Sequence, residues 1–350
     1  MSITAPAERP VAPDESRDRT LWEYTRASGL RSMVMGTSKD PNAKLTILLV
    51  SPSTGLPAMA VKAPTSDGAA AAVAAEERML LALGSRSSAL IVDTVPRLLD
   101  AVDFGGRRAI VMSAVHGTPM SSRYMRRGHT ADPAQVQQDF DSVLSWLELL
   151  WATTAADPAP MDMGCEVGLA LADRFHDEPG LDRDLADLRA LHARLRSNVV
   201  PPTIVHGDLW FGNLLMTGRR ISGVVDWEAG IASAAPARDL ARFALMYALY
   251  IDRRARGHRR VRGHPGLLAG DWGAGIVYAL HSDAWFPRLV QRFLRTGLER
   301  LGASPESWRD VALAGIAEVA AMTDNPTFAR RHLDLFRALT GAPSIAKDRS

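Results

Sequence analysis

The feature that most constrains this chain is a short segment set between helix-like stretches. It reads His206-Gly207-Asp208-Leu209-Trp210-Phe211-Gly212-Asn213 and resumes at Val224-Val225-Asp226-Trp227-Glu228. Asp208, Asn213 and Asp226 stand beside the apolar runs Leu214-Leu215 and Val224-Val225. Short apolar runs bounded by turn residues read as buried strands. A loop between buried strands brings polar side chains that are separated in sequence to one point. Two carboxylates and an amide are the set that phosphoryl transfer requires. One carboxylate orients the attacking hydroxyl and accepts its proton, and hard oxygen ligands hold Mg²⁺ against the phosphates.

The sequence on either side changes texture. Leu30–Met35, Leu45–Val50, Ala58–Ala63, Val95–Leu99 and Ala109–Val115 read as strands, separated by turn clusters such as Ser51-Pro52-Ser53-Thr54-Gly55. Between the third and fourth, Ala69–Leu83 reads as a helix, with Asp67 as N-cap and Gly84 as its stop. After Gly117 helical periodicity takes over. Asp132-Pro133 opens a helix in which Val136, Phe140, Val143, Leu147, Leu150 and Trp151 share one face, and Leu181–Leu195 is a second helix. These patterns predict an α+β protein: a disordered tail over residues 1–18, a β-rich lobe over 19–116, and a larger, mainly helical lobe over 117–350. A hinge is expected near Ser113 to Gly117.

Composition excludes several classes. The 350 residues are 47% apolar and 23% charged, as in soluble globular proteins, and the net charge of +2 does not mark a dedicated nucleic-acid binder. The sharpest charge cluster, Arg253 to Arg262, lacks the interleaved aromatics of a base-stacking surface and reads as a solvated loop. Trp272, Trp285 and Trp308 read as core packing rather than as a cation-binding aromatic wall. Cys165, the only cysteine, rules out an internal disulfide framework and suits a reducing cytoplasm. The first residues lack the apolar core of a signal peptide, and no apolar run approaches the roughly 20 residues that span a bilayer. No nucleic-acid or membrane partner is expected.

The pattern H-G-D-x-x-x-x-N, followed by a strand ending in Asp226 and Trp227, resembles the catalytic core of the aminoglycoside phosphotransferase and choline kinase family. The resemblance implies a two-lobed protein-kinase-like fold, Asp208 as catalytic base, and Asn213 and Asp226 as metal ligands. Lys62 is similar to the strand lysine that contacts nucleotide phosphates. Glu76 stands where a helix glutamate pairs with it, with Glu77 as an alternative. Ile110–Gly117 resembles an adenine-binding hinge acting through backbone groups of Ser113 and Val115. The phosphate loop matches with Gly36 as its one glycine, and Thr37 and Ser38 as phosphate-facing hydroxyls. Pro236 to Leu240 resembles the family's P-x-x-D-L, in which Asp239 is structural. The activity implied by the resemblance is transfer of phosphate from ATP, or GTP, with Mg²⁺, to a hydroxyl of a small molecule. A silent kinase-like scaffold is the alternative, although base, metal ligands and lysine are all present. A protein kinase fits less well, because Gly207 replaces the catalytic-loop Arg and no D-F-G or A-P-E occurs. His206 is expected to orient the loop.

Overall fold

The structure is a computed structural model that describes residues 19–37, 44–86, 91, 93–255 and 257–341. Ser38 and Arg256 lie outside these residues, as does the tail over residues 1–18. The chain divides into two compact units, Met1–Glu77 with Arg97–Ala114, and Arg78–Pro96 with Val115–Ser350.

In the first unit, helix α1 (Leu21–Ser28) precedes strands β1 (Arg31–Thr37), β2 (Lys44–Val50) and β3 (Pro57–Pro64). Helix α2 (Asp67–Arg86) follows, then β4 (Leu98–Phe104) and β5 (Arg107–Ser113). The five strands form one antiparallel sheet in the order β1-β2-β3-β5-β4. Alternation decides its faces. Ile47 and Leu49, Val61 and Ala63, and Ala109 and Val111 point to one side and form a core with Val102, against which Leu21 and Tyr24 of α1 pack. The edge strand β1 is exposed from Arg31 to Gly36 and bulges between Val34 and Gly36.

Two of the boundaries that differ from the sequence reading have a local cause. The amide of Ala69 donates to Ser66 Oγ (3.2 Å), so Ser66 rather than Asp67 caps α2, and the helix runs through Gly84 to Arg86. An interior glycine costs about 1 kcal/mol relative to alanine, which the Ala- and Leu-rich neighbours offset. The fourth strand starts at Leu98 instead of Val95, since Pro96 has no N–H to give a ladder.

The second unit is mainly helical. A short strand β6 (Thr118–Pro119) and helix α3 (Met120–Tyr124) lead to α4 (Pro133–Thr154), capped by Asp132, whose carboxylate accepts the amides of Ala134 and Gln135. The six apolar positions read from the sequence are all buried. Next come β7 (Ala159–Pro160), α5 (Cys165–Arg174), α6 (Leu181–Leu195), β8 (Val199–Val200) and β9 (Thr203–Val205). Then follow β10 (Leu214–Thr217), β11 (Arg220–Val224), β12 (Ile231–Ala234) and α7 (Ala237–Leu249). Four helices close the unit: α8 (Ala274–His281), α9 (Trp285–Arg300), α10 (Trp308–Met322) and α11 (Pro326–Gly341). Among the described residues no helix is long and apolar enough to cross a membrane.

Helix α7 is the axis of this unit. Every residue from Ala237 to Leu249 is buried except Arg242, as for a helix surrounded by protein. Phe243 and Tyr247 on α7 meet Phe140 of α4 at 5.1 and 4.9 Å, and Phe140 also meets Phe293 of α9 at 5.0 Å. Truncating Phe140, which is 1% exposed, removes the ring that joins these three helices. Phe140→Ala is therefore expected to destabilise the protein by about 3–5 kcal/mol, read as a lowered midpoint in denaturant titration.

Candidate active site

The loop after β9 is shaped from below by Asp239, on the first turns of α7. Its two carboxylate oxygens accept the backbone N–H groups of His206 (2.8 Å) and Gly207 (3.0 Å). Asp239 is 1% exposed. Burial pushes its pKa up, opposed by the His206 ring and by these two amides. Gly207 turns the chain at φ +76°, and a Cβ there would lie 2.1 Å from the carbonyl oxygen of Ala229. No other residue fits that backbone.

His206 is buried, with both ring nitrogens engaged. Nδ1 accepts the amide of Asp208 (3.2 Å) and Nε2 donates to the carbonyl of Val225 (3.0 Å), so the ring proton sits on Nε2. The Trp227 indole lies 4.6 Å from the imidazole and donates to the carbonyl of Val224 (2.9 Å). His206 thus ties the Asp208 loop to the Asp226 turn, the orienting part expected of it. The amide of Val225 closes the same link from the other side by donating to the carbonyl of Asn213 (3.0 Å).

Asp208 is held at both carboxylate oxygens, with its side chain 30% exposed. Oδ2 accepts from Asn213 Nδ2 (3.1 Å), which also donates to the carbonyl of Asp208. Oδ1 accepts from Nε (3.0 Å) and a terminal nitrogen (2.5 Å) of Arg242. Asp226 has φ +72°, a left-handed backbone that costs on the order of 1–3 kcal/mol for a non-glycine residue and concentrates at functional sites. One of its carboxylate oxygens lies within 4.8 Å of one on Glu228.

Two residues at this site carry no role in the sequence reading: Arg242 and Glu228. A signal exists for the first. Asp239 and Arg242 are three apart on a helix, hence on one face. Asp239 holds the backbone of residues 206 and 207, and Arg242 holds the side chain of the next. Glu228 is two residues beyond Asp226 in a tight 3₁₀ turn (Trp227–Ala229), which swings both carboxylates to one side.

In the first unit, Lys62 Nζ lies 2.8 and 2.6 Å from the two carboxylate oxygens of Glu76, and both side chains are buried. Glu77 instead receives the Arg108 guanidinium on both oxygens, so of the two glutamates it is Glu76 that pairs with the lysine. The Ser113 amide donates to the carbonyl of Arg97 (2.8 Å), and Val115, in the second unit, has its side chain beside Gly223. Gly36 sits on the exposed edge strand at φ +147°. The three tryptophans read as packing residues are each half-buried against other side chains. Trp272 packs on Phe328 and His332, Trp285 on His264 and Phe286, and Trp308 lies under Arg295.

A model of the phosphotransferase enzyme family matches residues 45–274, more than half of the chain. Comparison with curated proteins gives no significant match. Among solved structures, the chain is similar to the crystal structure of aminoglycoside phosphotransferase APH(4)-Ia, with a TM-score of 0.53 and 13% identity over 89% of this chain and 94% of that one. A thermostable mutant of the same enzyme in its apo form gives 0.53 at 12% identity, again over 89% and 94%. A further thermostable mutant, in ternary complex with AMP-PNP and hygromycin B, gives 0.52 at 12% identity with the same coverage. At these identities the likeness is one of fold. With the antiparallel sheet of the first unit, the helical second unit and the family match, the chain has the kinase-like fold and belongs to the phosphotransferase enzyme family.

Proposed function

We propose that this phosphotransferase moves the γ-phosphoryl group of ATP to a hydroxyl of a small molecule, with Asp208 as the base. The observation that carries this reading is the placement of Asp208. It is fixed at both oxygens by Asn213 and Arg242 yet keeps 30% of its side chain exposed. A carboxylate anchored in this way is preorganised to receive a hydroxyl and to take its proton as the phosphoryl group arrives. Fixing the attacking oxygen is most of what a protein contributes to phosphoryl transfer, since the transition state itself is loose.

The donor set suits Mg²⁺, which takes hard oxygen ligands. The amide nitrogen of Asn213 is bound to Asp208, so its amide oxygen is the atom left to face a cation. Asp226 and the neighbouring Glu228 supply carboxylates. Asn213 and Asp226 would hold the ion, which when bound neutralises phosphate charge. Lys62, paired with Glu76, serves as the point charge for the nucleotide phosphates. Backbone groups of Ser113 and Val115 would hydrogen-bond adenine, and Gly36, Thr37 and Ser38 would form the phosphate loop. The complex of a related fold with AMP-PNP and hygromycin B supports nucleotide and hydroxylated-acceptor binding here. GTP is the alternative donor for the same groups, and the cytoplasm is the compartment that supplies either.

Asp208→Asn keeps the shape and one acceptor oxygen but cannot accept a proton. Turnover is expected to fall about 10²–10⁴-fold, with nucleotide affinity nearly unchanged on the same preparation. Near-normal turnover would remove Asp208 as base.

Asp226→Ala takes away a carboxylate ligand. Calorimetric titration of ATP with and without Mg²⁺ is expected to show a metal-dependent gain in affinity for the native protein and little for the variant. An equal gain in both would exclude Asp226 as a ligand.

Lys62→Ala should weaken ATP far more than adenosine, because the lost charge faces phosphate. Equal weakening of the two ligands would point instead to a disturbed sheet.

A further inference from the structure

Helix α7 is buried all round except along one line. Arg242 is half-buried, and so is Tyr250, the residue that caps its C-terminus. They are eight residues apart, which is just over two turns and thus the same face. Arg242 reaches Asp208. Tyr250 reaches Trp210, two residues further along the same loop, with ring centroids 6.0 Å apart and planes inclined by 34°. Trp210 is also half-buried.

The support under these two rings is dry. Phe211, 1% exposed, meets Trp210 edge-on at 4.9 Å and Tyr250 at 5.8 Å. Tyr124 stacks flat against Phe211 at 4.1 Å with planes 5° apart, and its hydroxyl donates to the carbonyl of Tyr247 (2.9 Å). The other side of Trp210 lies on Gly212, where a Cβ would come within 2.3 Å of the indole Cζ2. Glycine at 212 is what lets the indole lie flat on the loop. Large rings pinned by a buried aromatic base, yet left partly open next to a candidate base, are a surface for a ligand rather than core.

The charges around this surface decide which ligand. Arg242 lies on the Asp208 carboxylate, and the Arg253 guanidinium stands 5.7 Å from the Tyr250 ring centroid. Burial pushes the pKa of the adjacent Asp252 carboxylate up, opposed by backbone amides. A polycation would meet the exposed Arg253 guanidinium and an Asp208 carboxylate already neutralised by Arg242. A neutral sugar ring meets none of this opposition. Its C–H face can lie on Trp210 and Tyr250 while a hydroxyl on its edge points along the loop to Asp208.

We infer that Trp210 and Tyr250 form the acceptor wall of the site, and that the acceptor is a neutral sugar or glycoside rather than a polycationic aminoglycoside. The inference rests on Asp208 being the base.

Saturation-transfer NMR with AMP-PNP and Mg²⁺ present tests it. The probes are methyl glucoside, methyl galactoside, methyl mannoside, maltose and kanamycin. Ring protons of at least one neutral glycoside should receive saturation from the native protein. Trp210→Ala and Tyr250→Ala should weaken that ligand about tenfold or more. Trp210→Phe and Tyr250→Phe, which keep a ring, should retain most of the affinity. AMP-PNP binding should be unchanged in all four, which checks the fold. Three results would each overturn the inference: no neutral glycoside bound by the native protein, tighter binding of kanamycin, or alanine variants that bind as the native chain does. If the wall fails while the native protein phosphorylates some other acceptor and Asp208→Asn does not, the base assignment stands and the wall alone falls.

Discussion

The geometry of the candidate site depends on one buried carboxylate. Asp239 sits within the unit built around α7 and accepts two consecutive backbone N–H groups, those of His206 and Gly207. Those donors have no ladder partner at this bend, and leaving each one unsatisfied in the interior would cost about 1–3 kcal/mol. Burying a carboxylate is itself expensive, and the upward push on its pKa shows that cost. The chain accepts it because no neutral side chain offers two acceptors to two parallel amides in so little space. The consequence is positional. With residues 206 and 207 fixed to α7, Asp208 has one direction in which to project, and Arg242 waits one helical turn along.

The second unit uses the same helix for neighbouring tasks. Arg238, 5% exposed at its side chain, is neutralised by Glu318 and Glu166, which tie α7 to α10 and α5. Arg242, one turn on, is neutralised by Asp208 itself. Buried charge near the loop is therefore paired before any ligand arrives, as buried charge must be. In the first unit the Lys62–Glu76 pair is likewise complete without a ligand. At the site, strain sits in the backbone of Asp226, which the Trp227 and His206 contacts hold in its left-handed turn.

Much of this was legible in the sequence. The strand-loop-strand segment announced itself because its polar residues stand beside β-branched and leucine runs, and the helices of the second unit followed from 3.6-residue spacing. The capping of α4 by Asp132 was readable because the Asp-Pro pair is local chemistry. The cap of α2 was missed by one residue, since Ser66 and Asp67 are both competent and only geometry chooses between them. The choice between Glu76 and Glu77 was closed by a residue far along the chain, Arg108, which claims Glu77. The Trp210–Tyr250 pair was hidden for the same reason. Its meaning comes from which face of α7 is left open, a property of the helices packed around it and not of local spacing.

The proposed reaction is phosphoryl transfer to a hydroxyl. The most direct measurement is phosphorus NMR of the protein with ATP, Mg²⁺ and a panel of hydroxylated small molecules that includes neutral glycosides. It is expected to show a new phosphomonoester resonance, coupled to protons of the acceptor carbon, growing in step with ADP. ATP left intact by an enzyme that binds it, or consumed only to inorganic phosphate with every acceptor, would contradict it.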